Sequence, residues 1–364
     1  MIPMVDLKNQ YQTLKAEIDQ GINECLENAH FILGPNVQAF EKEAASYLGA
    51  KHAISCASGT DALHLALVAA GISEGDEVIT TSFTFIATAE AIRYVGAKPV
   101  FVDIRPDSYN LDPELIEAAI TEKTTAIIPV HLFGQPADMS SIMAIATKHN
   151  LKVIEDCAQS FGADIQGKMT GTIGLAGCHS FFPSKNLGCY GDGGMITTND
   201  DTIAEKLKSL RNHGSTIRYH HDIIGYNSRL DEIQAVILRT KLKRITSFNE
   251  GRRRAAHQYS DLLKEVVTPP EEDGIGTHVY HQYTLLTDNR DAIQESLSSK
   301  DIASAVYYPI PLHQQKVFED EYGTTSLPVT EDVSRRCLSL PVFPELNSEQ
   351  VTIICEQIKS VFKG

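Results

Sequence analysis

Short apolar runs alternate with stretches of helical periodicity through the first two thirds of the chain, and this alternation limits the fold more than any other feature. Ala53 to Cys56, Glu77 to Thr80, Pro99 to Asp103, Ala126 to Val130, Lys152 to Glu155 and Gly177 to Phe182 are β-rich, with helical segments at about Thr60 to Ala70, Ala87 to Tyr94 and Met139 to Lys148. Strands that read as nearly unbroken apolar runs, each followed by a helix, belong to a mainly parallel sheet covered on both faces. Such sheets bind ligands at the carboxyl ends of their strands. A helix opens the chain, because Leu7, Tyr11, Leu14, Ile18, Ile22 and Leu26 recur every three or four positions.

A longer helical pattern runs from near Leu230 to about Leu263, and VTPPEEDGIGTH ends it with prolines and glycines. The 364 residues suggest two lobes at ~100 to 200 residues each. We expect a large domain over 1–245 and a smaller C-terminal α/β domain over 246–364. The latter has strands predicted at Val279 to Leu286 and Ala303 to Tyr308 and a last helix over Val351 to Phe362.

With 32 basic against 47 acidic side chains the net charge is −15. That sign repels phosphate backbones and anionic lipid, so no nucleic-acid or membrane partner is expected and any anionic ligand must be caught in a local pocket. The seven cysteines are odd in number and form no C-x-x-C pair, so neither a disulfide framework nor a metal site is expected. MIPMVDLKNQ shows no basic segment leading into an apolar run, and no apolar stretch approaches ~20 residues. These features suggest the reducing cytoplasm.

Four local features carry chemistry. Lys185 follows a strand in SFFPSKNLGCYGDGGMITTN; buried there it is an amine nucleophile, and exposed it is an ordinary loop lysine. Asp156 ends the strand LKVIED with Gln159 three residues on, and either holds a buried cationic partner, such as a protonated pyridine nitrogen, or caps a helix. Ser58, Gly59 and Thr60 open a helix directly after a strand, an arrangement suited to a phosphate but also common without one. Phe83, in TSFTFIATAEAI, lies over a flat ring or belongs to the core. An amine, a carboxylate for a pyridinium, a phosphate cup and an aromatic face together suit one cofactor, pyridoxal 5'-phosphate.

Here the sequence resembles the DegT/StrS-type sugar-nucleotide aminotransferases. The resemblance spans nearly the whole chain, through VDLKNQ, GPNVQAFE, ASGTDAL, GDEVITTSFTFIAT, PVFVDI, EDCAQSFGA, SFFPSKNLGCYGDGG, YNSRLDEIQAVIL and YYPIPLH in the family's order. It implies the aspartate aminotransferase fold, that is the PLP-dependent transferase fold (fold type I), with a large mostly parallel sheet domain and a smaller C-terminal α/β domain. By resemblance, Lys185 holds the cofactor and then shuttles the proton, and Asp156 partners the pyridine nitrogen. Gln159 lies near the phenolic oxygen and Phe83 stacks on the ring. Gly59, Thr60 and Ser180 contact the phosphate, and Asn227 reaches it from the second subunit of a homodimer. The implied reaction moves the amino group of glutamate to a ketone on a nucleotide-linked sugar in a ping-pong scheme. Lys185 separates the chain from dehydratases of the same fold, which have histidine there.

The closest resemblance is to the branch that aminates carbon 3 of UDP-2-acetamido-2-deoxy-3-oxo-D-glucuronate for surface polysaccharide (O-antigen) sugars. There Arg229 matches an arginine that meets the sugar carboxylate, as an arginine fork can. Arginine also occurs at this position in relatives acting on dTDP-3-oxo-6-deoxyhexoses. His220 and His221, with Arg218 and Tyr219, resemble a substrate loop. Tyr307 and Tyr308 are matched to substrate contacts, with Tyr307 standing where histidine is expected. Arg252 to Arg254 read as a solvated or intersubunit face. A nicotinamide oxidoreductase would need G-x-G-x-x-G after the first strand, and GTIGLAG and YGDGG have neither its spacing nor its context. A PLP-binding regulator without catalysis is the non-enzyme alternative.

Overall fold

The computed structural model describes residues 1–217 and 219–363. Two helices, α1 (Leu7–Asn28) and α2 (Pro35–Leu48), precede the alternating region. There β1 (His52–Cys56), α3 (Gly59–Ala69), β2 (Glu77–Thr81), α4 (Ala87–Tyr94), β3 (Lys98–Val102), α5 (Pro113–Ala119), β4 (Thr124–Ile127), α6 (Met139–His149) and β5 (Lys152–Asp156) follow in turn. After a small hairpin of β6 (Asp164–Ile165) and β7 (Lys168–Met169) come β8 (Ala176–Ser180), β9 (Gly194–Thr198) and α7 (Asp201–Leu210).

The main sheet has seven strands in the order β1-β9-β8-β5-β4-β2-β3. From β8 to β3 all pairings are parallel, as expected, and only β9 runs against its neighbours β1 and β8. A parallel return needs a long crossover, usually a helix. Residues 181–193 contain no helix, so the chain turns straight back into β9. One face of the sheet packs Ile54, Leu65, Leu67, Ile92 and Leu207; the other packs Ile79, Val102, Ile116, Ile142 and Val153. Both faces are therefore apolar, and that is why these strands read as continuous apolar runs.

The helical pattern from 230 to 263 is two helices, α8 (Glu232–Leu242) and α9 (Ile245–Leu263). The break falls at Lys243 and Arg244, where Arg244 leaves helical geometry (φ −119°, ψ 0°) and donates from Nη1 to Thr240 O at 3.0 Å. Apolar periodicity runs across the break because both helices keep an inner side. Beyond α9, β10 (Tyr283–Leu286), α10 (Arg290–Ser298), α11 (Glu319–Tyr322), α12 (Pro328–Arg336), β11 (Cys337–Leu340) and α13 (Ser348–Ser360) complete the chain. A second core forms from Tyr259, Tyr283, Leu285, Leu340 and Ile354, with Ile2 and Val5 packed against it.

Two expectations for this region need correction. The antiparallel partner of β10 is β11, while Ala303 to Tyr308 contributes only a single bridge, between Ala305 and Ser339. Residues 279–282 are not extended, and Tyr280 has φ +44°. Their carbonyls cannot join a ladder and need another donor. Arg252 supplies it: only 2% exposed, it donates to the carbonyls of Tyr280 and His281 at 3.3 Å and of Val342 at 2.8 Å. The expected solvated face therefore fits exposed Arg254 but not Arg252. Among the described residues no helix is long and apolar enough to cross a membrane. Arg252→Met, which strands three carbonyls, is expected to lower unfolding free energy by ~3 kcal/mol in urea titration; an unchanged midpoint would contradict this role.

Candidate active site

Neighbouring parallel strands β5 and β8 deliver their carboxyl ends to the same edge of the sheet. At the end of β5, Asp156 is buried; its Oδ2 accepts from the Thr88 hydroxyl at 2.8 Å and its Oδ1 from Ala158 N–H at 3.1 Å. A turn follows, so Asp156 is not a helix cap. Burial pushes its carboxyl up, while those two donors and the Lys185 charge act the other way.

Past the end of β8, Lys185 sits in the tight segment 181–193, its N–H bonded to Phe182 O at 2.9 Å. Gly188 is required there, since a Cβ would lie 2.4 Å from Pro183 O. Burial pushes the Lys185 ammonium down to about 8, against the opposing pull of Asp156. The amine is therefore half free base near pH 8, where an exposed lysine stays charged.

Across from both, α3 begins with the Ser58 side chain accepting from Asp61 N–H at 3.1 Å. At Gly59 a Cβ would lie 2.5 Å from the Ser180 Cβ, so the helix start and the end of β8 meet with no space for a side chain.

Gly59, Thr60, Asp156, Gln159, Ser180, Lys185, Tyr307 and Tyr308 line one cavity of about 420 Å³, within the ordinary range for a ligand site. Gln159 is fixed at both ends, its Oε1 accepting from Phe133 N–H at 2.7 Å and its Nε2 donating to the Tyr308 hydroxyl at 3.1 Å.

Phe83, expected over a cofactor ring, is instead fully buried, edge-on to Phe133 and Tyr109. The chain turns after β2, with Phe83 N–H bonded to Thr81 Oγ1 at 3.1 Å, and this turn packs Phe83 inward. Phe85, 56% exposed, takes its place on the cavity wall.

Asn227, Arg229, His220 and His221 lie outside this chain's cavity. Asn227 is exposed and bridges to Asn212, whose Oδ1 accepts from Arg229 Nη1 at 2.9 Å. His221 Nδ1 lies 2.8 Å from His213 O, and His220 is exposed. Arg218 falls outside the described residues.

Several cavity neighbours carried no sequence signal: Thr88, His281 and Gln282. Beneath Asp156, His131, Glu155 and Cys157 form the one group of metal-like spacing among the described residues. Its donors are already committed. His131 Nδ1 accepts from Ala137 N–H, its Nε2 meets Glu155 Oε2 at 3.0 Å, and Glu155 also accepts from Gly171, Ile173 and Gly174. The group is a filled hydrogen-bond network.

A desolvated lysine amine and a buried carboxylate facing a helix that starts on Gly59, at the strand ends of this sheet, form the site of a pyridoxal-phosphate enzyme. Residues 12–359 match the DegT/DnrJ/EryC1/StrS aminotransferase family, and the chain belongs to it. It is 54% identical to UDP-N-acetyl-3-dehydro-alpha-D-glucosamine 3-aminotransferase of Acidithiobacillus ferrooxidans, covering 100% of this chain and 98% of that one. Identity is 52% with a pleiotropic regulatory protein of Geobacillus stearothermophilus (100% and 99% covered). It is 48% with UDP-2-acetamido-2-deoxy-3-oxo-D-glucuronate aminotransferase of Pseudomonas aeruginosa (98% and 99%). The crystal structure of S. venezuelae DesV in complex with a ketimine intermediate superposes with a TM-score of 0.96 at 40% identity, covering 99% and 98% of the two chains. The fold is thus that of the PLP-dependent transferases, and the chain is an aminotransferase that uses pyridoxal phosphate.

In cofactor-free protein, acylation of Lys185 followed by peptide mass spectrometry is expected to rise with a midpoint near pH 8. Lys241, also pushed down to about 8 by burial but only 1% exposed, stays protected. A Lys185 midpoint at the ordinary lysine value of 10.5 would contradict its burial.

Proposed function

We propose that this chain transfers the amino group of glutamate to the C3 ketone of a UDP-linked 2-acetamido-2-deoxy-3-oxo sugar, with UDP-2-acetamido-2-deoxy-3-oxo-D-glucuronate as substrate. The carrying observation is that Lys185 and Asp156 share one cavity in which both are desolvated. When bound, pyridoxal phosphate supplies an electron sink for the pair released as a C–H bond breaks. Asp156 holds the pyridine nitrogen protonated. Lys185, as free base, takes the proton from the donor carbon and would deliver it to the carbon on the other side of the transferred nitrogen. Gly59 and Thr60 N–H groups and the Ser180 hydroxyl receive the phosphate, Gln159 meets the phenolic oxygen, and Phe85 takes the stacking role first expected of Phe83.

The sugar assignment draws on two relatives whose names specify a 3-oxo or 3-dehydro UDP-sugar, differing in whether carbon 6 is a carboxylate. Arg229 favours the carboxylate: half-buried, it spends Nη1 on Asn212, while its Nε has no partner among the described residues. Exposed Asn227 and the nearby apolar side chains Ile217 and Ile224 suit a homodimer in which each chain completes the other's site. His220, His221, Tyr307 and Tyr308 would then flank the sugar. The seven cysteines, all free and buried, suit a reducing cytoplasm, and surface-polysaccharide (O-antigen) sugars are the product class. A purely regulatory role, suggested by the name of the Geobacillus relative, gives no reason to desolvate an amine and a carboxylate in one cavity.

The test loads the protein with cofactor, treats it with glutamate, removes the glutamate, and adds UDP-sugars while following visible absorbance and aminated product. The 3-oxo-uronate should restore the absorbance and a dTDP-3-oxo-6-deoxyhexose should not; restoration by the 6-deoxy sugar alone overturns the substrate. Lys185→Ala should abolish both halves of the reaction while the fold survives. Arg229→Met should cost about 100-fold in uronate turnover and less than about 3-fold with the 6-hydroxyl analogue; equal losses remove its carboxylate role.

A further inference from the structure

Thr84 and Thr88 stand on either side of Phe85 where the chain passes from β2 into α4, and both line the cavity. They are 3% and 1% exposed, and their Oγ1 atoms lie 3.2 Å apart. A threonine in a helix commonly donates to the carbonyl four residues back. Thr88 instead sends its proton across to β5, donating to Asp156 Oδ2 at 2.8 Å. Ala158 N–H donates to the other oxygen, Oδ1, at 3.1 Å.

An ionised carboxylate only accepts, so Thr88 gives it the one proton its hydroxyl has, and the Thr84 hydroxyl is then the donor to Thr88. One donor on each oxygen fixes the rotation of the carboxylate, and each oxygen keeps a second lone pair. Donors to a carboxylate also make it less basic. Here they oppose burial, which pushes Asp156 up. A proton shared between Asp156 and a heterocyclic nitrogen is therefore left on the nitrogen.

We propose that Thr88 is a positioning residue for Asp156: its hydroxyl, oriented by Thr84, fixes the carboxylate and keeps a proton shared with the pyridine nitrogen on that nitrogen. The inference rests on Asp156 being the partner of the pyridine nitrogen. Thr88 transfers no proton and acts only through Asp156.

Thr88→Val keeps the shape and removes the donor, and Thr88→Ser keeps the donor. Thr84→Val breaks the bond between the two threonines while leaving Thr88 its proton for Asp156. Each variant is loaded to saturation with pyridoxal phosphate isotopically labelled at the ring nitrogen, whose chemical shift is read by NMR. In the unsubstituted protein the signal should lie at the protonated position, and Asp156→Asn should move it. Thr88→Val should move it part of the way toward the unprotonated position, with Thr88→Ser and Thr84→Val unmoved. Single turnover with glutamate should slow by about 10-fold in Thr88→Val, with KM within about 3-fold, and recover in Thr88→Ser. An equal shift in Thr84→Val, or equal losses in Thr88→Val and Thr88→Ser, overturns the role of the Thr88 donor. A signal that moves in Asp156→Asn but not in Thr88→Val overturns this proposal alone. A signal unmoved in Asp156→Asn overturns the pairing of Asp156 with the nitrogen and this proposal with it. If Thr88→Val does not fold, Thr88→Ala takes its place. Neither readout uses the sugar, so a failed substrate assignment leaves this test intact.

Discussion

A desolvated lysine amine and a buried aspartate carboxylate in one cavity are the constraint on which the rest of the structure depends. Either charge alone would be expelled or neutralised at that depth. Here burial moves both toward their neutral forms while each opposes the shift of the other. Parallel pairing of β5 with β8 brings the two side chains together. The helix-free return to β9 gives Lys185 a rigid segment to stand on, anchored by Lys241 Nζ on Gly188 O at 2.7 Å and by Gln234 on the backbone of Tyr190.

The C-terminal part of the chain closes this arrangement. Arg252 ties residues 280 and 281 to α9, and Gln159 reaches across to Tyr308. Ser82, at the end of β2, bonds through Oγ to His313 Nδ1 at 2.7 Å, and His313 Nε2 lies 3.3 Å from Glu331. The wall carrying Tyr307 and Tyr308 is therefore pinned to the strand ends that carry the reactive groups.

The sheet was legible because parallel strands covered on both faces leave continuous apolar runs, and Lys185 and Asp156 were legible because they end such runs. Helix periodicity marked the inner side of α8 and α9 but not the turn between them, since a break at Lys243 and Arg244 changes the backbone without changing which side is apolar. The four residues of β11 were too few to show a period directly after a helix. Phe83 and Phe85 share one motif, and only the turn after β2 decides which of them reaches the cavity. Arg252 left no pattern because its role arises where distant segments meet.

The most direct measurement is where the cofactor attaches. Borohydride reduction of the cofactor-loaded protein followed by peptide mass spectrometry should place a pyridoxyl group on Lys185 and on no other lysine. Attachment at Lys241 or at a surface lysine, with Lys185 unmodified, would contradict the account.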